Sequence, residues 1–283
     1  MRFSGERTLA DGANELVLRF ESPEQGGVRL VKTYTLKRGD YVARVRHEVV
    51  NAGGEPVSPQ LYVQLVRDGN PAPGGTSFYS TFTGPAFYTD AKKFQKVEFA
   101  DIDKGKAEFV TQAPDGWVAM VQHYFASAWL LPPGMAHDNF ARKLDNALYA
   151  AGMIAPMGAI APGASQAVET RLFIGPQDEK VLEGIAPGLE LVKDYGYFTI
   201  LAKPLYWLLD KLHGVLGNWG WAIVALVVLL KIAFYWLNAK AYASMAKMKS
   251  INPRIQEMRE RLKDSPQQMQ QEMMRIYREE KVN

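Results

Sequence analysis

One lysine lies inside an otherwise apolar stretch of this 283-residue sequence. Lys231 is the single charged residue of the run 219–237. In a continuous helix, three polar side chains share its face at spacings of four, seven and eleven residues: Tyr235, Asn238 and Tyr242. We call these four residues the polar stripe. A charge at such a depth is expected to face water or a partner, so the sequence predicts a hydrated cavity shared with other helices.

Position alone leaves a second interpretation of Lys231 open. The residue lies near the C-terminal end of the apolar run, where a lysine side chain can extend to the polar boundary. The rest of the helix surface carries aliphatic side chains such as Val228 and Ile232. The polar stripe on one side of the helix favours the cavity. The position of Lys231 alone is explained equally well by a side chain that extends to the polar boundary.

Methionines are concentrated in the C-terminal tail. Flexible thioethers suit adaptable surfaces that bind varied partners. The tail residues that we expect to receive partners or substrates are Met245, Met248, Met258, Arg259, Met269 and Met273. The alternative is that part of these methionines form the ordinary core between two tail helices.

The remaining residues show no catalytic or metal-binding pattern. Cysteine is absent, which excludes disulfides, thiol nucleophiles and cysteine-ligated metals. His47, His123 and His137 are far apart in the sequence, and no nucleophile elbow, phosphate-binding loop or zinc-protease motif occurs. His47 and His137 each precede a carboxylate, but adjacent strand residues point to opposite faces. We therefore predict no enzymatic activity, no cofactor and no metal.

Charge is distributed unevenly along the chain. Residues 239–283 hold ten Lys/Arg and six Asp/Glu, a net charge of +4, whereas the rest hold 23 and 24, a net charge of −1. The basic excess follows the apolar run, so the positive-inside rule places 239–283 in the cytoplasm and 1–217 outside it, in a periplasm. Solvated helix faces account for the basic residues, and we expect no specific nucleic-acid binding.

The apolar run predicts a transmembrane helix over residues 218–238. A helix over 219–237 is about 28 Å long, close to the hydrocarbon thickness of a bilayer. Tryptophans mark one edge, and Tyr235 and Trp236 mark the other, as in an aromatic belt. A buried core helix is the alternative, but core helices rarely run this long without polar residues.

Residues 191–217 predict an amphipathic helix that lies in the membrane interface. Its apolar side chains recur at helical spacing: Phe198, Leu201, Leu205, Leu208, Leu212 and Val215. Pro204 is expected to kink or break it. The alternative is a helix packed on the preceding domain.

Residues 1–190 predict a mainly β domain, a large antiparallel β-sandwich that ends in a short helix and a break at Pro187-Gly188. Turn clusters rich in glycine, proline and asparagine separate the apolar runs, and no long helix intervenes. The runs that predict strands are 16–20, 28–36, 41–50, 61–67, 117–122, 126–131, 148–154 and 167–173.

Residues 239–283 predict an antiparallel hairpin of two helices. Residues 239–248 extend the membrane helix, and Pro253 is expected to kink it. Ser265, Pro266 and Gln268 suit the cap and first turn of the second helix. The apolar residues that should face each other are Ile255, Met258 and Leu262 on one helix and Met269, Met273 and Ile276 on the other. Two helices bury little surface, so we expect a hairpin that is mobile unless it is bound or docked.

Several long motifs make the sequence resemble the membrane insertase family YidC/Oxa/Alb. They are 217–221 (GNWGW), 238–248 (NAKAYASMAKM), 253–261 (PRIQEMRER) and 271–274 (QEMM). Two further segments resemble the periplasmic domain of the Gram-negative bacterial branch: 116–125 (GWVAMVQHYF) and 192–197 (VKDYGY). The resemblance covers most of the chain.

The resemblance implies a galactose-mutarotase-like sandwich without catalysis. It also implies that the span at 218–238 is the second of six transmembrane spans in the family. The first span and the last four lie outside this sequence, and neither end has a typical start or stop signal, so we expect a fragment. The family usually carries arginine where Lys231 stands, and lysine keeps the charge but not the bidentate geometry. Many members have proline in place of Trp236, so no kink is expected there.

The function that the resemblance implies is insertion, folding and assembly of inner-membrane proteins. The substrates are nascent membrane proteins, which contact the groove lined by the polar stripe. The partners implied are the lipid bilayer, the Sec translocon, the ribosome and targeting factors. Two alternatives remain: a membrane-anchored carbohydrate-binding or epimerase-like domain, and a scaffold whose sandwich docks a translocon partner.

Overall fold

The computed structural model describes residues 2–70, 82–144, 147–193, 195, 199–262 and 266–279. The chain divides into two compact units, Met1–Gly196 and Tyr197–Asn283. The first unit is built from β-strands and the second from helices. We describe each unit by itself and call them the β unit and the helical unit.

The β unit contains two antiparallel sheets, as the sequence predicts. The large sheet has nine strands in the order β1-β2-β3-β4-β13-β10-β9-β6-β7. These strands are β1 (Arg2–Ser4), β2 (Glu15–Glu21), β3 (Val28–Lys37), β4 (Val42–Asn51), β6 (Gly84–Thr89), β7 (Lys93–Lys96), β9 (Trp117–Val121), β10 (Phe125–Leu130) and β13 (Ser165–Pro176).

The small sheet has four strands and packs on one face of the large sheet. Its order is β5 (Gln60–Asp68), β12 (Leu148–Pro156), β11 (His137–Lys143) and β8 (Gln112–Ala113). The core between the sheets includes Val45, Phe87, Val118 and Met153, each fully buried. Alternating side chains of both sheets fill this layer, so the sandwich is held together chiefly by apolar burial. A short helix, α1 (Phe99–Asp103), adjoins β11.

A third layer covers part of the other face of the large sheet, over β6, β9, β10 and β13. It consists of helix α2 (Glu179–Glu183) and a 3-10 helix (Leu189–Val192), whose buried leucines pack on Trp117 and Phe173. The Asp178 side chain caps α2 by accepting from the Lys180 N–H at 3.0 Å. The indole N–H of Trp117 donates to the Pro187 carbonyl at 3.1 Å. The predicted short helix and the Pro187-Gly188 break are therefore present.

Strand β6 is the clearest strand that the sequence reading missed. All six of its residues are buried, because the small sheet lies on one face and the third layer on the other. A strand covered on both faces has no alternation between apolar and polar residues, so its sequence carries no period of two. Strand β11 was missed as well.

The described residues of the helical unit form four helices: α3 (Thr199–Leu216), α4 (Trp219–Ala233), α5 (Tyr235–Arg261) and α6 (Pro266–Glu279). Gly217 adopts a left-handed conformation, φ 66°, after α3. Asn218 then caps α4 by accepting from the Trp221 N–H at 3.2 Å. Of the predicted helical segment 191–217, residues 191 and 192 belong to the 3-10 helix of the β unit, and Thr199–Leu216 form α3.

No single helix in the described part of the chain has the length and apolar character that a membrane crossing requires, but α4 and α5 meet that standard together. They are bent by 62° across Phe234. The prediction of one unbroken helix over 218–238 is therefore wrong. No kink is predicted at Trp236, and Trp236 lies within α5, while the bend is at Phe234. Neither proline nor glycine stands at the break, so no rule of helix breaking identifies it from the sequence.

Both prolines that were expected to disturb helices lie within helices. Pro204 is inside α3 and Pro253 is inside α5, and each helix continues past its proline. Each proline lacks the N–H that would bond four residues back. The Ser250 hydroxyl donates to the Lys247 carbonyl at 2.7 Å in the turn before Pro253.

Helices α5 and α6 form the predicted antiparallel hairpin. Its core consists of Ile251, Ile255, Met258 and Ile276, with Leu262, Met269, Met273 and Tyr277 packed around it. An ion pair joins Arg254 to Glu279 at 3.6 Å, which links an early residue of the hairpin to a late one. The expected facing of the two apolar stripes is confirmed. Ser265, the predicted cap, lies outside the described residues, whereas Pro266 begins α6 as expected.

Candidate functional site

Lys231 is the only charged residue of α4 and lies in its last turn. Its side chain is exposed, and the helix around it is apolar on nearly every side. A cation near the C-terminal end of a helix interacts favourably with the partial negative charge of the unpaired carbonyls. This placement supplies part of the stabilisation that a lysine in an apolar helix requires.

The other three residues of the polar stripe lie beyond the bend, on α5. Tyr235 and Tyr242 are exposed by 72% and 70%, and Asn238 is exposed as well. Because seven residues make two helical turns, Tyr235 and Tyr242 share a face of α5, with Asn238 beside them. The 62° bend separates this face from that of Lys231, so the four residues do not form one straight row.

Sequence reasoning missed a second cation beside the stripe. The Lys240 ammonium lies 3.9 Å from the centroid of the Trp236 ring, a close cation–π contact. The two residues are four apart on α5, and this spacing brings side chains together on a helix surface. An aromatic residue followed four positions later by lysine was the available signal. The segment just after the bend therefore carries a positive charge held against an aromatic ring.

The methionines of the tail divide into two groups. Met258 is 5% exposed and belongs to the hairpin core, with Met269 and Met273 partly buried around it. Met245 and Met248 are exposed on α5 by 56% and 47%. Of the six tail residues predicted to receive partners, those on the surface of the helical unit are Met245, Met248 and Arg259.

Helix α3 buries no residue; some of its large apolar side chains are exposed, and others, such as Leu205 and Leu208, are half-buried. Ile200 is exposed by 88%, and Trp207 and Val215 are exposed as well. At the junction with α4, the His213 ring stacks on the Trp219 ring, with centroids 3.8 Å apart and planes 9° from parallel. An apolar helix face of this kind requires a cover, and a lipid interface is one such cover.

His47 and His137 of the β unit each contact a neutral oxygen atom. His137 is buried, and its Nδ1–H donates to the Met135 carbonyl at 2.9 Å. His47 contacts Thr170 through Nε2 at 3.1 Å, and its ring lies beside that of Trp129. The described ranges contain no group of three or more His, Asp or Glu residues able to hold a metal. The epimerase-like alternative requires a convergent His and Glu, and these contacts do not favour it.

Two family models match the chain. Residues 2–208 match the YidC periplasmic domain, and residues 211–283 match the 60Kd inner membrane protein. The junction between the matches falls within α3. The second description points to the inner membrane as the location of the family.

Curated relatives match along nearly the whole chain. The chain is 56% identical over 279 residues to a membrane protein insertase YidC of Burkholderia vietnamiensis, and the aligned region covers 99% of this chain and 50% of the relative. It is 57% identical over 279 residues to the protein of the same name in Burkholderia cenocepacia, with the same coverage. The chain thus spans about half the length of these relatives, whose names describe insertases and not enzymes.

Among solved structures, the chain is similar to a galactose mutarotase related enzyme from Lactobacillus acidophilus. The identity is 11%, the TM-score is 0.39, and the match covers 62% of this chain and 71% of that one. A likeness at this level says nothing about a reaction. The family matches and the curated relatives together show that the chain belongs to the YidC family of membrane protein insertases.

Proposed function

We propose that this chain is part of a membrane protein insertase that assists insertion, folding and assembly of inner-membrane proteins. The observation that carries the proposal is Lys231, an exposed cation in an otherwise uncharged apolar helix. A pure anchor gains nothing from a charge at that position, because a lysine costs about 2.5–3.5 kcal/mol at the centre of a span on insertion scales and still carries a part of that cost nearer its end. A helix that lines a hydrated groove offers water and substrate groups to the same charge.

The polar stripe acts by replacing solvent around the polar parts of a nascent segment. Lys231 attracts acidic groups of the substrate, and Tyr235, Asn238 and Tyr242 donate and accept hydrogen bonds across the bend. No covalent bond changes. The groove shortens the apolar distance that a hydrophilic tail must cross, and the cost of crossing falls accordingly.

The topology in this proposal follows the charge distribution. Residues 1–217 lie in the periplasm and residues 239–283 in the cytoplasm, where the positive-inside rule places the basic tail. Helix α3 lies in the outer interface with its exposed apolar side chains, such as Ile200 and Val215, in the lipid. The segment through α4 and the start of α5 crosses the bilayer.

The hairpin of α5 and α6 receives partners in the cytoplasm. Met245 and Met248 offer exposed thioethers for nascent apolar segments, and Arg259 offers a cation for an acidic one. Nascent membrane proteins are the substrates in this proposal. The Sec translocon, the ribosome and targeting factors are the partners that the family resemblance suggests for the full-length protein.

Site-directed photocrosslinking tests the groove. A photoreactive amino acid at position 231 of the full-length protein is compared with one at Leu229, which is also exposed on α4 but lies on the opposite side of the helix. During synthesis of a membrane protein with an acidic translocated tail, we expect strong labelling from position 231 and weak labelling from position 229. Equal labelling from both positions removes the groove from the proposal.

A further inference from the structure

A pair of basic side chains, Lys32 and His47, lies in the β unit, far along the sequence from the polar stripe. Lys32 on β3 and His47 on β4 are direct partners in the antiparallel register. His47 shares the face of β4 that carries Val45 and Val49, which belong to the core between the sheets. Both Lys32 and His47 are half-buried, so the two groups sit at the margin of that core.

Hydrogen bonds fix the orientation of the imidazole. The Thr170 hydroxyl donates to the Val45 carbonyl at 3.3 Å, and its oxygen lies 3.1 Å from His47 Nε2. Because that hydroxyl proton is already used, the oxygen accepts from the Nε2–H. His47 therefore keeps Nδ1 for another partner.

Aromatic rings border the pair on two sides. The Lys32 ammonium lies 5.3 Å from the Tyr34 ring centroid and 6.0 Å from that of Trp129. The centroids of the His47 and Trp129 rings are 6.2 Å apart. The Trp129 indole N–H donates to the Gln64 carbonyl at 3.1 Å, which holds the ring in place. The site is thus shaped by rings whose positions are set by other elements.

Negative charge is missing from this cluster in the described part of the chain. The nearest acidic residues along the neighbouring strands, Glu21 and Glu48, both align with Val31 and so lie on the opposite face from Lys32. They pair there with arginines. Burial and the charge of Lys32 lower the pKa of His47 to about 4. An anion between the two groups would offset both the burial of the charged imidazole and its repulsion by the Lys32 ammonium.

We propose that Lys32 and His47 bind a carboxylate of a polypeptide, an acidic side chain or a C-terminus, with the Trp129 and Tyr34 rings beside it. One carboxylate oxygen accepts from the ammonium and the other from Nδ1–H of the charged imidazole. The flanking side chains on the same face are apolar, such as Phe20 and Leu30, and suit neighbouring apolar residues of a peptide. A sugar acid would require polar partners for its hydroxyl groups. This binding does not depend on insertase activity.

Binding should be coupled to proton uptake. Among the described residues packed around His47, Lys32 is the other titratable group that faces it, beside the neutral Thr170 and Trp129. A bound carboxylate favours the imidazolium, so it raises the pKa of His47 from about 4 towards neutrality. The peptide should therefore bind more tightly at about pH 5 than at about pH 7.5.

Histidine-ring NMR on the 283-residue chain in lipid nanodiscs tests the proposal, with His47→Gln used to assign the signals. The probes are acetyl-Ala-Glu-Ala-amide, its matched glutamine peptide, and glucuronate. We expect the glutamate peptide to shift the His47 signals and to raise the midpoint of their pH titration. Lys32→Met should weaken this binding by at least about tenfold, Lys32→Arg should retain it, and Lys37→Met on the exposed end of β3 should leave it unchanged.

Each contrary result has a definite meaning. An equal shift with the glutamine peptide, or full binding by Lys32→Met, would overturn the carboxylate site. Binding of glucuronate without binding of the glutamate peptide would overturn the polypeptide as the ligand. The unshifted His137 signals show in each sample that the β unit is folded, so loss of structure is distinguished from loss of the site.

Discussion

Substitutions at Lys231 that keep or remove the positive charge test whether the charge contributes to insertion. In the full-length protein we expect Lys231→Arg to insert an acidic-tailed substrate about as well as the native protein, since the charge is kept. Lys231→Leu should lower the insertion rate by about tenfold, because a cation in a partly dehydrated groove contributes a kcal/mol or more of attraction. Protease protection of the translocated tail measures the rate. A neutral-tailed substrate is the control and should be affected little.

A second prediction at the residue scale separates the two groups of methionines. Met258 is in the hairpin core, so Met258→Ala should destabilise the hairpin by about 2 kcal/mol or more and speed amide exchange across α5 and α6. Met248 is exposed, so Met248→Ala should change stability by less than about 0.5 kcal/mol. Hydrogen exchange measures both. If Met248→Ala speeds exchange as much as Met258→Ala, the division into core and surface methionines is wrong.

His47 should make the stability of the β unit depend on pH. Its pKa in the folded chain is about 4, below the usual 6.5, because of burial and Lys32. The unfolded chain therefore takes up a proton first as the pH falls, and folded-state stability is lost between about pH 6.5 and about pH 4. Partial exposure of the ring limits the loss to about 1–2 kcal/mol.

Chemical unfolding at several pH values measures this effect. The variant His47→Gln should show a flatter dependence of stability on pH over that window than the native chain. An unchanged slope in His47→Gln would show that other groups control the pH dependence.

At the scale of the elements, one glycine lets strands β6 and β9 pair. Gly116 has φ 106°, and a Cβ there would lie 1.8 Å from the Tyr88 carbonyl oxygen. Gly116→Ala should therefore destabilise the β unit by more than about 3 kcal/mol, through backbone strain together with displacement of β6. Gly163→Ala is the matched control: its φ is 73° and its Cβ meets nothing within 4 Å, so about 1 kcal/mol is expected. Circular dichroism during thermal unfolding compares the two.

At the scale of the whole molecule, the two units have separate cores. The polar stripe and the hairpin both belong to the helical unit. Deleting residues 2–190 from the full-length protein should therefore leave most of the insertion activity, since α3 and all later helices remain. Complementation of a depletion strain, together with the protease-protection assay, measures the outcome. Loss of insertion with normal membrane levels of the variant would assign the β unit a direct role, and retained insertion with lost partner binding would assign it a scaffold role.

The sequence determined the features that depend on local order. Strand β4 could be predicted because one face is buried and the other polar, which gives a period of two. The hairpin could be predicted because its stripes follow the helical period, and Lys231 stood out because a charge interrupts an apolar run. Long motifs identified the family, which no periodicity could do.

Only the tertiary structure decided the features that depend on contacts between distant residues. Burial of β6 on both faces removed its sequence signal, and the pairing of Lys32 with His47 depends on the register of two strands. Which methionines are buried was decided by where α6 packs on α5. Neither proline nor glycine stands at the bend at Phe234, so the sequence does not predict it and only the folded backbone shows it. Local periodicity depends only on residues that are neighbours in the sequence and can be read from it. Register, packing and bends result from the sum of contacts between residues that are distant in the sequence.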